Sequence, residues 1–214
     1  IFYFYSRKYT LWLETKANYM NKFLVFLLAI NFLLLFSDIV YGSALRDALD
    51  AANRGDYKTA YKLWFPLAEN NNAESQFNLG VMYDQGKGVR SNGMIAFKWY
   101  KLSAEQGYPK AQFNLGEIYR EGIFVTRDYA KALKWYRVSA EQGLAEAQCN
   151  LGLMYAEGKG VQQSYKEAIK WYRLSAEQGY AFAESNLGLM YEEGQGVQQN
   201  FEEAVKWYGF AAKQ

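Results

Sequence analysis

The chain has 214 residues, half of them apolar and 18% aromatic, with 24 basic and 22 acidic side chains; this suffices for one sizeable domain or a repeat array and excludes a disordered tail. It contains no histidine, which removes Ser-His-Asp and Cys-His nucleophilic sites, His-ligated metals and imidazole pH switching, and its single cysteine, Cys149, makes neither an intramolecular disulfide nor a zinc or iron–sulfur ligand set. Four of the bases and two of the acids precede Leu45, leaving twenty of each in Leu45–Gln214, a neutral, well-mixed body without the footprint expected of a nucleic-acid binder.

Residues 1–19 begin at Ile1 without an initiator Met and read as upstream sequence outside the fold. From Met20, a short basic start at Lys22 leads into the apolar run Phe23–Phe36 and then the small residues Gly42, Ser43 and Ala44, the pattern of a secretory signal over 20–44. Cleavage after Ala44 or after Gly42 fits the small-residue rule. The alternative is a retained anchor facing the periplasm: extended to Val40 the run reaches 18 residues, interrupted by Asn31, Ser37 and Asp38, where a spanning helix wants about 20 predominantly apolar ones. Either way the protein is expected to be exported, periplasmic or secreted, with membrane contact only through Phe23–Val40.

Leu45–Asn53 reads as an abbreviated opening helix, joined by Arg54-Gly55 to the rest. From there the chain repeats itself. Asn-Leu-Gly begins at Asn78, Asn114, Asn150 and Asn186, and Trp-Tyr at Trp99, Trp135, Trp171 and Trp207, each 36 residues after the last. Glu-Gln-Gly closes helices at Gly107, Gly143 and Gly179. A fixed period of this length signals a solenoid, here with repeats at about 45–72, 73–108, 109–144, 145–180 and 181–214.

Each unit carries two helices. The first, clearest over Ala145–Glu157, places Ala147, Leu151, Met154 and Tyr155 on one helical face, and Gly158 then lets the chain leave it. The second follows a column of good N-caps, Asp56, Asn92, Asp128, Ser164 and Asn200, and the spacing predicts helices at 57–70, 93–106, 129–142, 165–178 and 201–213. Glu167 and Glu203 sit where a capping box would return a bond to the cap. The fold class is all-α, about five antiparallel helix pairs stacked on their neighbours.

Two departures carry expectations. Phe124 stands where Gly88, Gly160 and Gly196 stand in the other loops, so a locally different loop, or backbone strain of about 1–3 kcal/mol, is expected there. Pro66 should kink or split the first of the second helices near Trp64. The mid-helix glycines Gly80, Gly116, Gly152 and Gly188 predict close helix contact, and the tryptophans with Tyr83, Tyr119, Tyr155 and Tyr191 are expected to fill the spaces between pairs.

The pattern A-x-x-N-L-G-x-M-Y-x-x-G-x-G-V followed by A-x-K-W-Y-x-x-S-A-E-Q-G resembles the Sel-one-like repeat (SLR) family, relatives of the tetratricopeptide repeat, almost continuously over Asp56–Gln214. The resemblance implies a right-handed α-α superhelix acting as an adaptor, in bacteria supporting envelope assembly, signalling or host interaction. One branch of secreted, cysteine-rich members is linked to penicillin-type antibiotics, which makes binding or hydrolysis of cell-wall fragments or β-lactams the alternative function; the paired cysteines of that branch are missing here.

In such arrays the first helices line the concave side, and the positions that vary between copies are the candidates for holding a partner protein or peptide: Phe77, Val81 and Asp84; Phe113, Glu117 and Arg120; Leu153 and Ala156; Leu189 and Glu192. The same aromatics could equally be packing between helices, Cys149 an inert small hydrophobe, and the Asn78, Asn114, Asn150 and Asn186 ladder could bond a peptide or a neighbouring helix. Gly86-Lys87-Gly88 and Gly158-Lys159-Gly160 follow helices rather than strands and are not phosphate loops. Catalytic, metal and cofactor residues are expected to be none.

Overall fold

The computed structural model describes residues 42–213 together with Met20, Phe23, Leu24 and Phe26; the segment 1–19 and most of the expected leader lie outside the described residues. All regular structure among the described residues is helical. The helix α1 is described over residues 42–53, so it starts earlier than Leu45 and takes in the small residues expected to mark a cut. It is followed by α2 (Tyr57–Glu69), α3 (Ala73–Gln85), α4 (Gly93–Glu105), α5 (Pro109–Glu121), α6 (Tyr129–Glu141), α7 (Ala145–Glu157), α8 (Tyr165–Ala176), α9 (Ala181–Glu193) and α10 (Phe201–Ala211). From α2 to α10 consecutive helices pack on one another, which makes an all-α solenoid of helix hairpins.

The ends of the helices are written in their caps. Asp56, Asn92, Asp128, Ser164 and Asn200 each accept a bond from the backbone N–H three residues on, at 3.0–3.3 Å, satisfying a first-turn amide that the helix itself leaves orphaned. The capping boxes do not close. The N–H groups of Ser164 and Asn200 donate instead to the carbonyls of Tyr155 and Tyr191, at 2.9 Å each, while Glu167 and Glu203 turn outward to Lys170 and Lys206. A carbonyl at the end of the preceding helix outcompetes a flexible side chain because the tight interhelix turn already holds it in place.

The core repeats a single contact. Tyr100, Tyr136 and Tyr172 are at most 2% exposed, and their rings lie on Gly80, Gly116 and Gly152; a Cβ on Gly116 would sit 2.5 Å from Tyr136 Cδ1. The buried aromatic column is therefore the tyrosine after each tryptophan. Trp99, Trp135, Trp171 and Trp207, expected to fill the core, are half-buried along the seams between repeats. Apolar helix faces and small residues such as Ala96, Ala132 and Ala168, fully buried, leave room for the tyrosine rings.

Polar side chains lock each hairpin at its far end. Ser103, Ser139 and Ser175 donate to the carbonyls of Ala73, Pro109 and Ala145 at 2.6–2.8 Å. Gln76, Gln112 and Gln148 donate to the carbonyls of Ala68, Ala104 and Ala140, and in turn accept from Gln106, Gln142 and Gln178 at 2.6–2.8 Å. The Ser and Gln of the Ser-Ala-Glu-Gln-Gly motif thus have an interhelix role: the Ser bonds the carbonyl of the first residue of the partner helix, and the Gln donates to the buried glutamine that itself reaches back to the helix before.

Neither expected departure disrupts the array. Pro66 lies inside an unbroken α2. It is exposed, as is Lys62, whose carbonyl it leaves unpaired, so that carbonyl meets water, while buried Trp64, Leu67 and Ala68 hold the helix on either side. The loop at Phe124 follows the same path as its counterparts: Phe124 has φ +66°, beside +72° at Gly88, Gly160 and Gly196, and so takes the strained branch of the expectation. The reason lies across the groove. Gly88, Gly160 and Gly196 press against Tyr57, Tyr129 and Tyr165, where a Cβ would meet those residues at 2.5–2.7 Å. At the remaining copy the partners have exchanged: the aromatic stands in the loop as Phe124, and the residue beneath it is Gly93, on which a Cβ would lie 1.9 Å from the ring.

Two stability experiments follow from these contacts. Gly116→Ala should destabilise by about 1–3 kcal/mol through overpacking against Tyr136, whereas Gly209→Ala, inside α10 with nothing within 4 Å, should stabilise by about 0.5–1 kcal/mol; urea melts showing the same sign for both would refute the ring-on-glycine account. In a double-mutant cycle, Gly93→Tyr should be costly alone and tolerated with Phe124→Gly, with a coupling of about 1–3 kcal/mol. Additive effects would refute the exchange of partners.

Candidate functional site

The variable positions of the odd-numbered helices share one face, and the structure gathers some of them into a groove. Between α3 and α5 lies a cleft of about 430 Å³ lined by Phe77, Val81, Asp84, Gln85, Tyr100, Asn114, Glu117, Ile118, Glu121, Ile123 and Phe124. Its floor is apolar: Phe77 packs on Tyr100 and Tyr108 with ring centroids at 5.9 and 5.2 Å, and Val81 is half-buried beside it. Ile123 and Phe124, 46% and 45% exposed, form one wall. Asp84, Glu117 and Glu121 supply carboxylates at the rim.

The tyrosine hydroxyls reach this same face, and each copy meets them with a different residue. Tyr100 donates to Asp84 at 3.4 Å, and burial, followed by the nearby Asp84 charge, pushes its phenol above the usual range. Tyr136 donates to Glu117 and accepts from Arg120 Nε at 3.1 Å. Arg120 in turn pairs with Glu117 and Glu121 at 2.8 and 2.9 Å. Burial and then Glu117 push the Tyr136 phenol up as well. At the last copy Tyr208 donates to Glu192 at 2.7 Å, and that hydrogen bond leads in raising its pKa to about 12. In the repeat between, Leu153 and Ala156 take the corresponding positions and pack in the cluster that holds Tyr172.

The ten candidate residues thus divide. Phe77, Val81, Asp84 and Glu117 line the cleft. Phe113 packs on Tyr136, ring centroids 5.9 Å apart, Arg120 is taken up in the carboxylate network, and Leu153 and Ala156 join the core of the next repeat. Leu189, 38% exposed, and Glu192 stand at the C-terminal end. The asparagine ladder also divides: Asn150 donates to Glu117 across to the neighbouring repeat at 2.5 Å, Asn186 to Cys149 Sγ at 3.7 Å, Asn114 lines the cleft, and the Asn78 amide nitrogen is buried without a hydrogen bond. Tyr100, Ile123 and Phe124 were not among the candidates, because only the stacking of α3 on α5 carries them to the same cleft; the advance signs were Phe124 breaking the glycine column and Asn114 standing in the asparagine ladder.

Charge follows helix parity, so the body is not well mixed. The helices α3, α5, α7 and α9 carry nine acids against two bases, Lys110 and Arg120, whereas α2, α4, α6, α8 and α10 carry eleven bases against six acids. Overall neutrality conceals an acidic first-helix face and a basic second-helix face.

Among the described residues no group of acids and cysteine is arranged to hold a metal, and no helix is long and apolar enough to cross a membrane. A solenoid of short helix hairpins with an open cleft on the first-helix face defines a helical-repeat protein of tetratricopeptide type. The chain belongs to the Sel1 repeat family, whose repeat matches residues 73–108, 109–144, 145–180 and 181–214 and generally mediates protein–protein interaction. It is similar to a Sel1 repeat protein from Oxalobacter formigenes, at 38% identity and TM-score 0.73, over 79% of this chain and 70% of that one. It is also similar to a protective antigen of uropathogenic Escherichia coli with an SLR fold, at 41% identity and TM-score 0.69, over 72% of this chain but only 33% of the antigen. Comparison with curated proteins finds no match.

Cys149 belongs to the packing of this face. It is 4% exposed, and burial pushes its thiol up to about 11. The thiolate fraction at pH 8 should then be about a hundredfold below that of an ordinary cysteine, and alkylation should become fast only in denaturant. Stoichiometric labelling of the folded protein within minutes would contradict this placement.

Proposed function

We propose that this chain is an exported scaffold of the bacterial cell envelope or exterior, which holds a partner protein through an extended peptide or amphipathic helix laid in the first-helix groove. The observation that carries the reading is the cleft between α3 and α5, whose floor of Phe77, Val81 and Ile118 and wall of Ile123 and Phe124 are ringed by polar groups. Apolar anchoring with a few placed polar groups is what a peptide site needs, and a solenoid offers it along an extended face. The leader pattern over 20–44 supports export, and the description of one structural neighbour as a protective antigen accords with a place outside the cytoplasm.

The test is affinity capture of the full-length tagged protein from crosslinked envelope fractions, beside the variant Val81→Glu/Ile123→Glu. Ile123 is exposed on the cleft wall and Val81 is half-buried on its floor, against the Tyr100 cluster, so the variant should still melt cooperatively, which a urea melt checks before capture. A partner recovered with the parent and reduced at least about tenfold with the variant is the expected outcome, equivalent to losing one or two buried hot-spot contacts. Recovery of the same proteins with both baits would overturn the groove assignment.

A further inference from the structure

The opposite face of the solenoid carries its own pattern. Lys62, Lys98, Lys134, Lys170 and Lys206 recur 36 residues apart, one on each second helix and all exposed. Three residues further on, Lys101, Arg137 and Arg173 continue the column on the same side of α4, α6 and α8. The two arginines are braced, donating to Tyr155 and Tyr191 of the next repeat at 2.8 and 3.0 Å. The lysines are little engaged: among the described residues no ion pair forms to Lys62, Lys98 or Lys134, and Lys170 and Lys206 reach Glu167 and Glu203 only at 3.7 and 3.4 Å. Exposed apolar side chains flank the stripe, Met94 at 58%, Leu174 at 39% and Phe210 at 40%.

We propose that this second-helix face docks on an anionic lipid bilayer, which leaves the acidic first-helix face turned away from the membrane. Charge complementarity selects an anionic surface: basic side chains near such a surface are attracted within a Debye length, and on α2, α4, α6 and α8 bases outnumber acids ten to four, α10 alone reversing the sign. The choice of lipid over nucleic acid comes from density and from the neighbours. Glu69, Glu105 and Glu141 near the C-terminal ends of their helices, and Glu167, Glu202 and Glu203 near the N-terminal ends of α8 and α10, interrupt the stripe and leave only one or two net positive charges on each of α2, α4, α6 and α8, sparse for tracking a phosphate backbone. Met94, Leu174 and Phe210 are suited instead to entering the boundary between headgroups and acyl chains.

The experiment is co-sedimentation of the full-length protein with vesicles of phosphatidylcholine alone or with about 40% phosphatidylglycerol, which gives an anionic surface. Three forms are compared: parent, Lys98→Gln/Lys134→Gln/Lys170→Gln on the stripe, and Lys87→Gln/Lys110→Gln/Lys159→Gln off it with the same change in net charge. The expected result is partitioning onto the anionic vesicles that falls about a hundredfold in the stripe variant, is lost in about 1 M salt, and changes much less in the off-stripe variant. Equal losses in the two variants would reduce the effect to net charge and overturn the proposal. So would equal binding to both vesicle types by all forms, which would assign membrane binding to the Phe23–Phe36 run. Salt-sensitive binding of a duplex DNA probe without vesicle binding would overturn it in favour of nucleic acid, and salt-sensitive self-association without vesicle binding would assign the basic face to the acidic face of a second copy. None of these outcomes depends on the groove, whose partner capture is read separately.

Discussion

A tyrosine ring resting on a mid-helix glycine is the contact from which the rest of this structure follows. An α-helix places its side chains too far out for another helix's backbone to come close, and only the absence of a Cβ at Gly80, Gly116 and Gly152 lets Tyr100, Tyr136 and Tyr172 lie flat against it. That approach fixes how deep each second helix sits on its first helix. Because the ring is long, its buried body reaches through the hairpin and its hydroxyl emerges at the opposite face, where Asp84 and Glu117 meet it. One residue therefore serves as core and as part of the groove's polar lining.

Regularity elsewhere serves the same hairpin. The Ser and Gln bonds at one end and the cap bonds at the other leave few backbone groups unpaired where helices end inside the array, so the interface between repeats is specified in direction as well as in apolar area. Local exceptions survive when a neighbour compensates. The strained Phe124 is tolerated because Gly93 gives its ring a place to lie, and the result is a wall of exposed aromatic and aliphatic surface at the cleft that the glycine-bearing loops do not provide.

Two faces then diverge in chemistry without disturbing the frame. Side chains of the odd helices that point away from the core are acidic or apolar and differ between repeats; those of the even helices are repeatedly basic. Burial constrains the stripe that packs, and leaves the solvent-facing positions free to carry charge at almost no cost to stability. A scaffold whose core is uniform and whose two exposed faces are opposite in sign has two independent surfaces on which to act.

The sequence alone determined the period, the helix pairs, the caps and the all-α class, because each is a local or strictly repeating property: 3.6-residue periodicity, cap chemistry and glycine placement act within a few residues. Ala145–Glu157 is a helix in the structure as it is in the pattern. What the periodicity does not contain is which copy's side chains meet across repeats. That Tyr100 rather than Trp99 is the buried ring, that Ser164 is bonded by Tyr155 rather than by Glu167, that Phe113 is packing while Phe77 lines a cleft, and that Phe124 belongs to the same cleft were decided by the stacking of α3, α5 and their neighbours. Such contacts join residues about 9 to 47 positions apart, and their geometry is set by interhelix distances of a few ångströms that no one-dimensional spacing encodes.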